Sequence, residues 1–277
     1  MALIEVNFLS ECLMRTVTVQ AVIPFDKLPA QGATLPDAEK YPALYLLHGI
    51  FGNYTDWVSG TCIQRWAEER NLAVIMPSGE NHFYTDCEAN GERFSEFIGR
   101  ELPEKMRRLF PLSEKKEETF IGGLSMGGYG ALLNGLTYYE TFGYVTGLSS
   151  GLFFDESENS SAFMPEQLFG PDFRKTIFGE PYTGGKNDLR ALAKKRAAGV
   201  PQKELPKIYL CCGLSDSLLD ANREFSAYLK ELGYSVIYEE GPGDHEWDFW
   251  NTYIKRILDV LPLENAGAGI NSGNVGI

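Results

Sequence analysis

A repeated alternation of short apolar runs with helical patterns restricts this chain to a small group of folds. Runs that are apolar throughout are typical of parallel strands, which helices cover on both faces. The predicted strands are 15–24, 42–49, 71–79, 118–125, 144–151, 206–213 and 234–240. Helical spacing of apolar residues predicts helices at 92–110, 126–139, 217–233 and 246–261. This order predicts an α/β fold with a mostly parallel, doubly wound sheet.

Length and composition favour one large domain. The chain has 277 residues, of which 44% are hydrophobic, and this is enough to bury a single core. We expect the domain to span 1–263. Residues 152–205 are much longer than an ordinary connection and are rich in Phe and Leu, so they predict a cap-like insertion over the site. The Gly- and Asn-rich segment 264–277 is predicted to be a flexible tail.

The charge and the cysteines limit the partners and the compartment. A formal net charge of −13 disfavours nucleic acid and anionic membranes as partners, and no apolar run is long enough to span a bilayer. The N-terminal residues lack the pattern of a secretory signal. The five cysteines have no metal-ligand spacing, and we expect them to be reduced thiols in the cytoplasm. A homo-oligomer is compatible with the sequence, which leaves the oligomeric state open.

The stretch TFIGGLSMGGYGAL, residues 119–132, predicts a nucleophile. Ser125 lies where a predicted strand ends and a predicted helix begins. A strand-to-helix turn this tight holds its central residue in strained backbone angles and requires small neighbours two positions away on each side. Gly123 and Gly127 meet that requirement, which gives the pattern G-x-S-x-G. A glycine-rich turn with an incidental serine is the alternative interpretation.

A serine nucleophile needs a general base and an acid that orients it. On this kind of sheet the order along the chain is serine, acid, histidine. His245 is the one histidine of three that follows Ser125. Asp216 follows the strand 206–213 in a loop and is the favoured acid. Asp220 would lie in the first turn of a helix, where an acidic residue has an ordinary electrostatic explanation, and Asp244 directly precedes the histidine.

Two backbone N–H groups are predicted to stabilise the oxyanion. Met126 follows the nucleophile at a helix N-terminus and supplies the first donor. The loop after the strand 42–49 supplies the second, from Ile50 or, as the less favoured choice, from Phe51. His48 in the same loop is interpreted as a buried anchor rather than as the base.

Together these stretches resemble the esterase D superfamily of α/β-hydrolases, in particular its tributyrin, acetyl and feruloyl esterase branch. The resemblance covers roughly residues 40 to 255 in the family's order. The matching stretches are YLLHGIFGNYTDW, AVIMPSGENHFYTD, FIGRELPEKMRRLFP, TFIGGLSMGGYGAL, CGLSDSLLDANREF and GDHEWDFW. It implies an α/β-hydrolase fold and a serine carboxylesterase that needs no cofactor and no metal.

The resemblance also assigns roles to individual positions. It implies a catalytic triad of Ser125, Asp216 and His245, with Ile50 and Met126 as oxyanion donors. These are the residues favoured above from chain order and spacing.

Aromatic side chains near the predicted site suit an apolar ester, a phenolic acyl group or the face of a sugar. Phe51, Trp57 and Trp247 are the predicted pocket residues, although core packing is the usual place for aromatic side chains. The expected substrate is a short-chain or aromatic acyl ester, with an acetyl, butyryl or feruloyl group, and plant-derived saccharides are one source of such esters. One alternative is an S-formylglutathione hydrolase with the same chemistry on a thioester, and another is a binding module that has lost catalysis.

Overall fold

An eight-stranded sheet lies at the centre of the described part of the chain. The structure is a computed structural model, and it describes residues 1–28, 40–87, 91–152, 169–263 and 270. The strands are β1 Ala2–Ser10, β2 Arg15–Ile23, β3 Ala43–Leu47, β4 Ala73–Pro77, β5 Thr119–Leu124, β6 Tyr144–Leu148, β7 Lys207–Gly213 and β8 Val236–Gly241.

The strand order is β1-β2-β4-β3-β5-β6-β7-β8, and all pairs from β4 to β8 are parallel. The mostly parallel α/β sheet is confirmed, and each predicted strand has its counterpart. The first strand, β1, was not predicted. It pairs antiparallel with β2 at the sheet edge, and β2 pairs antiparallel with β4. Because β5 lies in the middle, the residue that follows it is at the centre of the carboxyl edge.

Helices cover both faces of the sheet. They are α1 Asp56–Gly60, α2 Ile63–Glu69, α3 Phe94–Glu96 continuing through a π-helical turn at Phe97–Glu101 into Leu102–Leu109, α4 Met126–Thr137, α5 Phe173–Phe178, α6 Leu189–Gly199, α7 Leu219–Glu231 and α8 Trp247–Val260. Buried residues of α3, α4, α6 and α7 form one apolar cluster with the sheet, and those of α1, α2 and α8 form the other. The short helices α1 and α2 were not predicted.

The described part of the insertion packs on the core. The Thr85 hydroxyl donates to the Ile177 carbonyl at 2.7 Å, and the Tyr129 hydroxyl of α4 donates to the Asn187 carbonyl at 2.5 Å. Residues 153–168 of the predicted cap lie outside the described residues, as does the predicted tail apart from residue 270. Among the described residues, no helix is long and apolar enough to cross a membrane.

Candidate active site

Ser125 lies at the turn from β5 into α4. Its φ of 52° and ψ of −117° put a residue with a side chain in a conformation that favours glycine. Its N–H donates to the Leu148 carbonyl of β6 at 2.9 Å, and its carbonyl accepts from the Gly151 N–H at 2.8 Å. The neighbouring strand therefore holds the strained backbone on both sides.

The glycines around Ser125 are required by close backbone contacts. A Cβ on Gly123 would lie 2.4 Å from the Gly127 carbonyl oxygen. A Cβ on Gly127 would lie 2.4 Å from the Leu47 carbonyl oxygen and 2.6 Å from that of His48. The start of α4 thus packs directly against the end of β3, which brings the loop after β3 beside the serine.

A continuous hydrogen-bonded chain joins three side chains from separate loops. His245 Nε2 lies 3.0 Å from Ser125 Oγ, and His245 Nδ1 lies 2.9 Å from Asp216 Oδ2. The histidine comes from the loop between β8 and α8, and the aspartate from the loop between β7 and α7. The three loops meet because parallel strands end at the same edge of the sheet.

Asp216 is held in its ionised form. Burial alone would raise its pKa, but hydrogen bonding and charge interaction with His245 and the Leu218 N–H at 2.9 Å bring the pKa below its usual value. The two alternative acids lie elsewhere. Asp220 is exposed and pairs with an arginine of its own helix, and Asp244 accepts from the backbone N–H of His245.

The loop after β3 is fixed by buried contacts. His48 Nε2 accepts from the Gly79 N–H at 2.8 Å, and Nδ1 lies 2.6 Å from the Gly49 carbonyl. Burial lowers the pKa of His48, which keeps the ring neutral, although the bond to Gly49 opposes this shift. The Tyr84 hydroxyl donates to the His48 carbonyl at 3.0 Å. His48 is therefore a buried anchor, as predicted.

The backbone N–H groups of Ile50 and Met126 have no hydrogen-bond acceptor among the described residues. Met126 is the first residue of α4, where the helix leaves N–H groups unpaired. Ile50 is two residues beyond His48, in the loop that packs against the same helix. Both N–H groups are therefore unpaired in the described part of the chain.

Comparison with known proteins identifies the family. The Esterase family model matches residues 11–259, most of the chain. The chain belongs to the Esterase family. An acetyl esterase of Caldicellulosiruptor saccharolyticus is 41% identical over 263 residues, covering 94% of this chain and 98% of that protein.

Solved structures of serine hydrolases have the same fold as this esterase. The fluorophosphonate-binding serine hydrolase FphF of Staphylococcus aureus is 28% identical with a TM-score of 0.79, and the alignment covers 94% of this chain and 98% of that one. The S-formylglutathione hydrolase FrmB of the same organism is 29% identical with a TM-score of 0.77, at the same coverage. The α/β-hydrolase fold and the resemblance to esterases are confirmed, and the chain is an ester hydrolase.

The predicted pocket residues of the esterase differ in their surroundings. Phe51 is 65% exposed, and its ring lies 5.8 Å from that of Phe169 in the insertion. Trp57 requires a correction, because it is only 1% exposed and its Nε1–H donates to the Leu47 carbonyl at 2.9 Å. Trp57 is therefore a core residue that packs against β3. Trp247 is half-buried and packs edge-on against Trp57.

Two contact residues of the esterase site were missed in the sequence. The ring of Trp250 lies edge-on to the His245 ring, with centroids 5.0 Å apart. Ser149 accepts a hydrogen bond from Trp250 Nε1–H, and hydrogen bonding by Ser149 helps to lower the pKa of Asp216. The signal was present, because GLSSG at 147–151 repeats the pattern of GLSMG at 123–127 one strand away. Among the described residues, no group of three His, Cys, Asp or Glu side chains is arranged to hold a metal ion.

Proposed function

We propose that this ester hydrolase is a serine carboxylesterase in which Ser125, His245 and Asp216 form the catalytic triad. The observation that supports it best is the unbroken chain of two hydrogen bonds, 3.0 Å and 2.9 Å long, from the hydroxyl through the imidazole to the carboxylate. The imidazole bridges a strained, partly exposed serine and a buried, ionised aspartate, which is the arrangement that activates a hydroxyl.

In acylation, Ser125 Oγ attacks the ester carbonyl carbon while His245 Nε2 takes the hydroxyl proton. The negative charge that forms on the carbonyl oxygen is stabilised by the N–H groups of Ile50 and Met126. Asp216 keeps the Nδ1 proton in place and stabilises the imidazolium. The tetrahedral intermediate collapses, the bond to the alcohol oxygen breaks, and His245 gives its proton to the leaving alcohol.

In deacylation, a water molecule takes the place of the alcohol. His245 Nε2 removes one of its protons, and the oxygen attacks the carbonyl carbon of the acyl-enzyme. The second tetrahedral intermediate releases the carboxylic acid as His245 returns the proton to Ser125 Oγ. The same two N–H groups serve both steps, and no cofactor takes part.

A short acyl group, acetyl first, is the proposed specificity. The acetyl esterase of Caldicellulosiruptor saccharolyticus supports it, because the two chains are similar over nearly their whole lengths. Phe51, next to the oxyanion donor Ile50, is proposed to contact substrate, together with Trp247. The contact between Phe51 and Phe169 supports a role for the insertion as a cap. Measuring kcat/KM for acetyl, butyryl and feruloyl esters ranks the acyl groups.

Replacing Ser125 tests the nucleophile. We expect Ser125→Ala to lower kcat/KM on p-nitrophenyl acetate by about 10⁴-fold or more, because triad residues act as a unit. A fluorophosphonate should label the wild-type protein on the peptide that contains Ser125 and should not label the variant. Ser235→Ala is the control. This exposed serine directly precedes β8, so it lies at the amino ends of the parallel strands, away from the carboxyl ends that carry the site. Full activity in Ser125→Ala would refute the proposal.

A thioesterase is the second candidate. The similarity to the S-formylglutathione hydrolase of Staphylococcus aureus, 29% identical over 94% of this chain, favours it. The nucleophile and the oxyanion donors would be the same, and only the leaving group would change from an alcohol to a thiol. A higher kcat/KM for S-formylglutathione than for every oxygen ester would establish this alternative.

A reducing compartment, such as the cytoplasm, is also proposed. All five cysteines lie in the described part of the chain and are unpaired, and four of them are buried. In an oxidising compartment outside the cell, free thiols such as these would be oxidised. Cell fractionation with an antibody to the chain tests the location.

A further inference from the structure

The ends of β5 and β6 carry the same motif in register. Gly123 pairs with Gly147, and Leu124 pairs with Leu148. The next residue on each strand is a serine, Ser125 on β5 and Ser149 on β6. The two serines share an unusual backbone, since φ is 52° at the first and 46° at the second.

The surroundings of the two serines differ. Ser149 is fully buried, with no exposed surface, whereas Ser125 is partly exposed. The Ser149 hydroxyl accepts from Trp250 Nε1–H at 3.2 Å, and hydrogen bonding by Ser149 is one of the causes that lower the pKa of Asp216. The thiol of Cys212 lies 4.0 Å from the same hydroxyl. Ser149 therefore lies in the buried surroundings of Asp216, together with Trp250 and Cys212.

The contacts of Trp250 close a ring of interactions. Its N–H bonds to Ser149, and its aromatic ring packs edge-on against His245. The ring runs from His245 to Asp216, from Asp216 to Ser149, from Ser149 to Trp250, and back to His245. Each member other than His245 is buried, so solvent does not replace these contacts.

We propose that Ser149 is a positioning residue for the triad, fixed by Trp250 and holding Asp216 in the orientation that His245 requires. This inference rests on the proposed catalytic role of Asp216 and His245. Ser149 does not touch the substrate, because it is fully buried, and it acts through the carboxylate. The sequence motif that supplies the nucleophile on β5 thus supplies a support for the acid on β6.

Charge supports this assignment. An ionised carboxylate buried in the protein needs donors for its oxygens. The groups that face Asp216 are the His245 ring, the Leu218 N–H, the Ser149 hydroxyl and the neutral thiol of Cys212. Burial raises the pKa of Cys212 well above its ordinary value, so the thiol adds no charge. Removing the Ser149 hydroxyl leaves one carboxylate donor fewer at a site that water does not reach.

The test compares Ser149→Gly with Ser150→Ala. Glycine removes the hydroxyl and tolerates the positive φ, so this variant is expected to fold. Ser150 is the matched control, because it is the next residue, is equally buried, and its hydroxyl has no hydrogen-bond partner in the described structure. Thermal unfolding of both variants checks that the fold is retained.

We expect Ser149→Gly to lower kcat on p-nitrophenyl acetate by about 10- to 100-fold, the effect of losing a hydrogen bond to a charged group. KM should stay within about twofold, because the residue does not touch substrate. The acid limb of the kcat/KM profile should move to higher pH. Because hydrogen bonding by Ser149 lowers the pKa of Asp216, the loss of Ser149 should raise that pKa. Ser150→Ala should match the wild type in all three measurements.

Trp250→Phe supplies an independent check. It keeps an aromatic ring beside His245 and removes the N–H that fixes Ser149. We expect a smaller loss of kcat, about 3- to 10-fold, and little further loss when the change is added to Ser149→Gly. Full additivity would show that Trp250 does not act through Ser149.

Failure of this inference can be told apart from failure of the proposed function. If Ser149→Gly and Ser150→Ala have the same kcat and the same acid limb, Ser149 is not a positioning residue, while Ser125 can still be labelled by a fluorophosphonate. If the wild type is not labelled at Ser125, the triad itself is wrong. A folded Ser149→Gly that loses activity through KM alone would also overturn the inference.

Discussion

The two G-x-S-x-G segments, 123–127 on β5 and 147–151 on β6, show how one local pattern is used for two purposes. Both put a serine with positive φ at the carboxyl end of a central strand. After Ser125 the chain enters the helix α4, which leaves the hydroxyl partly exposed and beside His245. The described residues 150–152 that follow Ser149 are not helical, and its side chain contacts Trp250 of α8.

The comparison teaches that the pentapeptide defines a backbone shape and that its surroundings define the chemistry. A strained turn directs a hydroxyl away from the strand in both segments. Access to solvent and an imidazole make one hydroxyl a candidate nucleophile. The other hydroxyl is enclosed and accepts a hydrogen bond from Trp250, close to the carboxylate whose pKa it helps to lower. A sequence motif without its flanking elements therefore identifies the turn but does not identify the role.

The largest effect that separates the two segments is expected at their first glycines. In Gly123→Ala the new Cβ would meet the backbone of Gly127 at 2.4 Å, and backbone atoms cannot move aside cheaply. In Gly147→Ala the nearest atoms belong to the side chains of Ser150 and Leu210, at 2.3 Å and 2.9 Å. We expect Gly123→Ala to lower the free energy of unfolding by about 3 kcal/mol and Gly147→Ala by about 1 kcal/mol. Urea unfolding measures both, and equal losses would contradict the contrast.

A smaller effect is expected from relief of backbone strain at the two serines. Alanine keeps a Cβ at positive φ, whereas glycine does not. We expect the free energy of unfolding of Ser125→Gly to be about 1 kcal/mol higher than that of Ser125→Ala. The free energy of unfolding of Ser149→Gly should likewise be higher than that of Ser149→Ala. Thermal unfolding of the four variants measures the differences. A glycine variant less stable than its alanine partner would show that the φ values of 52° and 46° carry no strain.

The smallest effect concerns pH. The folded-state pKa of Asp216 is below its usual value, so the carboxylate stabilises the fold above the unfolded pKa of about 3.9 and ceases to do so as pH falls through the folded value. Since Ser149 contributes to that lowering, the free-energy difference between wild type and Ser149→Gly should shrink by about 0.5–1 kcal/mol as pH falls from neutral through the folded pKa of Asp216.

The matched measurement uses Ser150→Ala, because the Ser150 hydroxyl has no hydrogen-bond partner in the described structure. Its difference from wild type should stay constant over the same acidic interval. Urea unfolding at several pH values follows both variants. A parallel change in the two would show that Ser149 has no special link to Asp216.

Much of the fold was predictable from the sequence, and the exceptions have physical reasons. Strands covered on both faces are apolar throughout, and each of these runs was found. The edge strand Ala2–Ser10 was missed because every second residue is exposed, and polar residues such as Glu5 and Asn7 interrupt the apolar pattern. Helices α1 and α2 have only five and seven residues, too short for a helical period to be distinctive.

Chain order led to the three side chains that are hydrogen-bonded in the structure, since only one histidine follows the serine. Burial was harder to predict. Trp57 follows the loop after β3 closely in sequence. It lies in α1, however, and its ring is buried in the core, where it bonds to Leu47 of β3. Ser149 was overlooked because its motif was interpreted only as a strand end. Its effect on the pKa of Asp216 depends on how β6, β7 and α8 come together, which a local sequence pattern does not show.

The backbone bonds between the two segments have a consequence for opening motions. Ser125 donates to Leu148 and accepts from Gly151, so the two turns are tied to each other beyond the regular ladder of β5 and β6. Fluctuations that release one turn must break the bonds of the other. Amide hydrogen exchange at both should therefore occur in a single cooperative event of high free energy. The esterase would lose its proposed nucleophile and the proposed support of its acid together, without a half-assembled form in between.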